Sequence, residues 1–178
     1  CVRGRQEHRD SAGSVVFENE LFQLIQYAPL TTEVGERPFL IVPPCINKYY
    51  ILDLQPENSF VRYAVGEGHT VFMVSWRNVG AAQGHYSWDD YLEMGVLTAL
   101  RAARDIAKCD RVNALGFCVG GTLLGAALAV LAAKGEELVE AVTYLTAMHD
   151  FAETGQIGLF VDEASVAQRE AALGLGGI

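Results

Sequence analysis

Short, mostly apolar runs recur along this chain at 39–42 (FLIV), 70–76 (TVFMVSW), 112–115 (VNAL) and 141–145 (AVTYL). Runs that are apolar at successive positions, rather than at alternate ones, suit strands buried on both faces. Between them the period lengthens. Residues 58–65 read as a short helix ended by Gly66 and Gly68, and Ser87 can cap a helix that runs to about Ala107. Asp89 and Asp90 fall in its first turn, where they complement the helix dipole, and Tyr91, Met94, Leu97, Thr98, Leu100 and Ile106 sketch its apolar stripe. Residues 119–133, rich in Ala and Leu, and 161–173 complete the helices. Ahead of this series, 14–27 alternate partly between apolar and polar with Asn19 at the middle, which predicts a β-hairpin. Strand, helix, strand, helix at this spacing predicts an α/β fold with a mostly parallel sheet, right-handed crossovers and flanking helices. Ligands of such sheets bind beyond the C-terminal ends of the strands. Residues 1–13 are polar and read as a tail or upstream remnant, 14–178 as a partial catalytic domain, and the closing GLGGI as uncommitted. A start at Cys1 without Met points to a piece of a longer chain.

The strand end at 112–117 carries the chemistry. Gly116-Phe117-Cys118-Val119-Gly120 has the G-x-S-x-G pattern of a nucleophile elbow, with Cys in place of Ser. Such an elbow is a sharp strand-to-helix turn of the α/β-hydrolase-type fold. It exposes its nucleophile above the sheet, and Gly116 and Gly120 let strand and helix approach. Cys118 falls at a helix N-terminus, where the dipole and free N–H groups favour a thiolate, and the N–H of Val119 faces a developing oxyanion. A plainer reading is a tight turn around a packed thiol. The strand before it, the Ala-rich helix after it and the βα units upstream favour the elbow.

Pro43-Pro44-Cys45-Ile46-Asn47-Lys48-Tyr49-Tyr50 follows the first buried strand of the series. In this fold that loop supplies the second oxyanion N–H. Pro44 has none, so Cys45 or Ile46 is the candidate donor. Ordinary packing of a Pro-stiffened loop weighs equally, and a packed thiol at Cys45 outweighs a disulfide with Cys118. Arg77 could meet an anionic substrate, although an ion pair with Asp89 or Asp90 is the commoner fate of a lone Arg. Asp150 is read as a loop start or cap. None of His8, His69, His85 and His149 is convincing as a general base, since His149 and Asp150 are neighbours that point opposite ways on an extended chain.

Composition narrows the partners. The 178 residues are 51% hydrophobic, enough for a sizeable core, and carry a formal net charge of −9, which argues against an unaided nucleic-acid binder. Coenzyme A thioesters stay open, because a few cations or a helix N-terminus can hold phosphate. No stretch is long enough for a transmembrane segment and the start is not a secretory signal. The four cysteines form no CxxC pair and show no metal spacing, so neither a metal nor a cofactor is expected, and free thiols fit a reducing cytoplasm.

FENELFQLIQYAPL, RPFLIVPPCINKYYILDLQPENS, GHTVFMVSWRN, WDDY and LGFCVGGT together resemble the class I polyhydroxyalkanoate synthases, over nearly all of residues 15–174. The resemblance implies an acyltransferase of the bacterial cytoplasm that polymerises (R)-3-hydroxyacyl-CoA at the surface of storage granules. Cys118 would take the acyl group and release coenzyme A, and the hydroxyl of the next monomer would take it onward into a growing polyester. A homodimer and granule-surface proteins are partners of that kind. The family's catalytic aspartate and histidine lie in a C-terminal part beyond residue 178, so the fold is expected to be truncated on that side and residues 1–178 alone to release no coenzyme A. The alternatives are a cysteine-dependent thioesterase or hydrolase of the same fold, with water as acceptor, and a non-catalytic module on a granule surface.

Overall fold

The computed structural model describes residues 11–46 and 48–173. Six strands form one sheet: β1 (Gly13–Glu18), β2 (Phe22–Tyr27), β3 (Phe39–Val42), β4 (Val71–Trp76), β5 (Val112–Phe117) and β6 (Val139–Leu145). Their spatial order is β1-β2-β4-β3-β5-β6. The β1–β2 hairpin adds antiparallel to β4, and the other pairings are parallel, so β3, between β4 and β5, is a fully paired strand. Helices α1 (Phe60–Gly66), α2 (Trp88–Asp90), α3 (Thr98–Ala107), α4 (Val119–Lys134) and α5 (Glu163–Leu173) intervene.

Successive residues of the inner strands enter two separate cores. Leu40, Val42, Phe72, Val74 and Ala114 face α3 and α4, where Ala99, Leu100, Leu123, Leu124 and Leu131 meet them. Ile41, Val71, Met73 and Leu115 face the other way, onto Val61 and Val65 of α1. This is why the strands read as apolar at every position: each pleat face is covered. β6 differs. It is an edge strand of the sheet, and Val142, Tyr144 and Leu145 are each exposed.

Three expectations need correcting. Residues 11–13 belong to the folded unit, because β1 begins at Gly13 and Ser11 is buried. Ser11 donates from its N–H and its Oγ to the fully buried carboxylate of Asp53, at 3.0 and 2.7 Å, and Ser59 Oγ donates to the same group at 2.6 Å. Ser59 also caps α1, accepting from the N–H of Arg62. The tail reading for residues 1–10 and the closing 174–178 lie outside the described residues.

The stretch 88–107 is not one regular helix. A π-helical segment, Tyr91–Leu97, separates α2 from α3, with Ser87 capping α2 as expected. The wider turn shifts the register, so the buried stripe is Leu92, Val96, Leu97, Leu100 and Ala103, and Ile106 is exposed. Two carbonyls of the irregular segment take side-chain donors: Asn19 Nδ2 reaches Met94 O at 2.7 Å, and Thr98 Oγ1 reaches Glu93 O at 2.7 Å. The final helix starts at Glu163 rather than 161.

Candidate active site

β5 runs between β3 and β6 and ends at Phe117, and the next residue, Cys118, is the N-cap of the 16-residue α4. Cys118 has φ 53° and ψ −126°, a conformation L-residues avoid at a cost of order 1–3 kcal/mol unless the surroundings enforce it. They do so from both sides. The Cys118 N–H donates to Leu145 O at the end of β6 (2.9 Å), and its carbonyl accepts from Gly121 N (2.8 Å) and Thr122 N (3.2 Å). Val119 is the first residue of α4, so its N–H has no acceptor within the helix.

The glycines divide the close contacts among themselves. A Cβ on Gly116 would stand 2.4 Å from Gly121 Cα, inside the elbow. A Cβ on Gly120 would stand 2.1 Å from Val42 O and 2.6 Å from the carbonyl carbon and oxygen of Pro43. Gly120 therefore presses the start of α4 against the end of β3, not against β5. Gly121 was given no role from sequence, yet a Cβ there would meet Ala147 at 2.4 Å. The Gly120-Gly121 doublet was the signal available for it.

The loop after β3 consequently lies beside the elbow, in register with it: Val42 pairs with Gly116. Neighbouring strands are about 4.8 Å apart, so the loop that holds Cys45 and Ile46 leaves the sheet on the side of the elbow. Trp76, at the end of β4, donates from Nε1 to Pro43 O at 2.7 Å. Cys45 sits in a turn, half-buried against the larger core, and burial pushes its thiol up, with only partial relief from a backbone hydrogen bond. It stays a neutral thiol at neutral pH. Burial, and secondarily Cys45, pushes the Tyr91 hydroxyl up as well. Ile46 is 74% exposed. Cys45, Cys109 and Cys118 are all free thiols.

The remaining candidates fall elsewhere. His149 Nε2 lies 3.2 Å from Gly121 O, and since a carbonyl only accepts, the contact selects the tautomer protonated there. The ring stands edge-on to Tyr144 (4.4 Å) and fills the space that Gly125 leaves on the flank of α4. Asp150 accepts from Ala152 N at 2.9 Å, as a loop cap. His69 rests on Phe39 at the opposite end of the sheet, and His85 lies against Tyr86. Cys109 bonds to Arg104 O. The expected ion pair of Arg77 with Asp89 or Asp90 does not form: Asp90 is taken by the N–H and Oγ of Ser87, and Arg77 is in no ion pair among the described residues. It lines a cleft of about 230 Å³ with Glu18, Gln23, Lys48 and Asn78. Among the described residues no group of three or more His, Cys, Asp or Glu could hold a metal ion, and no helix is long and apolar enough to cross a membrane.

Two family models match the chain: the N-terminus of poly-beta-hydroxybutyrate polymerase (PhaC) over residues 6–64, and the alpha/beta hydrolase fold over residues 38–172. The poly(3-hydroxyalkanoate) polymerase subunit PhaC of Cupriavidus necator is 60% identical over 92% of this chain and 28% of its own length. That of Rhizobium meliloti is 42% identical over 89% of the chain and 26% of its own length. The chain thus spans about a quarter of these curated relatives. Among solved structures, an esterase of the bacterial hormone-sensitive lipase family superposes with a TM-score of 0.58 at 19% identity, covering 85% of this chain and 48% of its own. An alpha/beta hydrolase fold protein from Burkholderia ambifaria gives 0.55 at 16% identity, covering 93% and 54%. At such identities the likeness shows the fold alone.

Proposed function

Since the chain belongs to the α/β-hydrolase fold family and its sequence kinship lies with the poly(3-hydroxyalkanoate) polymerases, we propose that it forms the nucleophile-bearing part of an acyltransferase that builds polyester from (R)-3-hydroxyacyl-CoA. The observation that carries this reading is Cys118, held at φ 53° between a central strand and the N-terminus of α4. Its thiolate attacks the thioester carbonyl, and the carbon–sulfur bond to coenzyme A breaks, leaving an acyl-cysteine and the coenzyme thiolate, which takes up the proton that Cys118 gave to the general base. The 3-hydroxyl of a second monomer then attacks the acyl-cysteine, forming an ester and restoring the thiol. Both steps pass through a tetrahedral oxyanion, for which the donors are the N–H of Val119 and that of Cys45 or Ile46. Residues 14–178 act as one part of a larger catalytic domain, with the general base and its acid supplied from outside these residues, because His149 is committed to Gly121 O. Polyester granules in the cytoplasm, with their surface proteins and a second copy of the enzyme, are the setting this chemistry fits.

The test separates alcohol from water as acceptor. A full-length polymerase bearing this chain, given (R)-3-hydroxybutyryl-CoA, is expected to release coenzyme A and leave insoluble polyester. Free 3-hydroxybutyrate in amounts equal to the coenzyme A would establish the hydrolase reading instead.

Cys45 serves through its backbone. Its thiol is half-buried and stays neutral, so it is a poor nucleophile. Cys45→Ala is expected to keep activity within about tenfold of the parent in initial-rate assays, the loss reflecting packing near Tyr91. Activity as low as that of a Cys118 variant would place the sulfur itself in the chemistry.

A further inference from the structure

The loop that carries the second oxyanion donor begins with two prolines. Neither has an N–H, so this segment cannot be fixed by donating to a neighbouring strand. Its Pro43 carbonyl is fixed instead, from two directions. The indole N–H of Trp76 donates to it at 2.7 Å, and the start of α4 packs so close to it that a Cβ on Gly120 would stand 2.6 Å away. The Trp76 ring is itself held, by Tyr91 at 5.6 Å between centroids and by Phe22 edge-on at 6.2 Å. Its far edge lies over Gly95, where a Cβ would come within 2.9 Å of two ring carbons. Gly95 belongs to the π-helical segment, which Asn19 ties to the hairpin loop through Met94 O. Wide turns of this kind recur at functional sites, where they re-aim what the helix presents.

We propose that Trp76 is a positioning residue for acyl transfer: its N–H holds Pro43 O and so sets the gap between the Val119 and Cys45/Ile46 donors, while Gly95 lets the indole in. The inference rests on the reading of Cys118 and its oxyanion donors given above. The tryptophan touches no reacting atom and acts through a peptide carbonyl two residues before Cys45.

Three changes test it in a full-length polymerase bearing this chain. Trp76→Phe keeps a ring and loses the donor. Trp76→3-benzothienylalanine, which replaces N–H by sulfur in the same shape, loses the donor without disturbing the packing. Gly95→Ala keeps the donor and displaces the ring. Two rates are read on each variant: pre-steady-state acylation by hydroxybutyryl-CoA, which forms an oxyanion, and alkylation of Cys118 by iodoacetamide, which does not. Acylation is expected to fall about tenfold to a hundredfold, less than or comparable to outright loss of an oxyanion donor. Alkylation is expected to stay within about twofold, and KM to move little against kcat. Unchanged acylation in the benzothienyl variant overturns the proposal. So does a parallel fall in both rates, which marks a general loosening of the site. Failure of the underlying reading is seen separately, as acylation that survives Cys118→Ala.

Discussion

Cys118→Ala in a full-length polymerase bearing this chain will lower coenzyme A release by at least about a thousandfold and abolish the acyl-enzyme, because the variant retains binding and oxyanion donors but has nothing to accept the acyl group. Mass spectrometry after mixing with (R)-3-hydroxybutyryl-CoA is expected to place one acyl adduct on Cys118 of the parent and none on the variant. The fold will not be the cause. Cys118 leaves its side chain out of the capping of α4, and what holds the turn are its own N–H and carbonyl, which alanine retains. The φ of 53° is strained for Cys and Ala alike. Stability should therefore change little while activity vanishes. Turnover that persisted in the variant would remove Cys118 from the chemistry altogether.

Gly120→Ala will have the largest effect on stability. Its Cβ would enter a space bounded by Val42 O at 2.1 Å, at the end of a strand paired on both sides, and by the Pro43 backbone at 2.6 Å, where the next loop begins. Neither side can yield cheaply: β3 is hydrogen-bonded on both edges, and the start of α4 is tied to the elbow through Cys118 O. Overpacking of this kind costs about 3 kcal/mol. In a chain of this size that lowers the melting temperature by roughly 6–12 °C. Gly66→Ala is the control, since a Cβ there meets nothing within 4 Å. Denaturant midpoints for the two variants, at unchanged slope, will measure the difference. An equal shift in both would show that helical glycine as such, not the contact with β3, sets the cost. The same displacement moves the Pro43 loop off the elbow, so Gly120→Ala should lose activity even where it remains folded.

What could be read from the sequence was what repeats. FLIV and TVFMVSW declared themselves as strands because both faces are buried, and the Gly-x-Cys-x-Gly turn stood out because its residue types are rare at that spacing between a strand and a helix. The hairpin was legible through Asn19, whose Oδ1 accepts from the N–H groups of Leu21 and Phe22. Irregular elements have no period to betray them. The 3-10 turns at Tyr49–Leu52 and Pro56–Asn58 and the π-helical segment were invisible, as was the burial of Asp53, since a carboxylate in a polar loop usually faces water. The reach of Gly120 to β3 was hidden for another reason: it joins segments that only the sheet order brings together.

That sheet order also fixes when the site can come into being. Its two halves, the Pro43 loop and the elbow, are separated by roughly seventy residues of chain, and the entropy of closing so long a loop must be met before either half gains from the other. The hairpin β1–β2 is local and can form while the rest is still being synthesised. The backbone of Cys118 cannot. Its N–H waits for Leu145 O, at the far end of β6, before the strained turn is held. On a ribosome, the thiol leaves the exit tunnel as an ordinary cysteine in a relaxed chain, and its distinctive geometry arrives only after some thirty further residues have emerged and found the edge of the sheet.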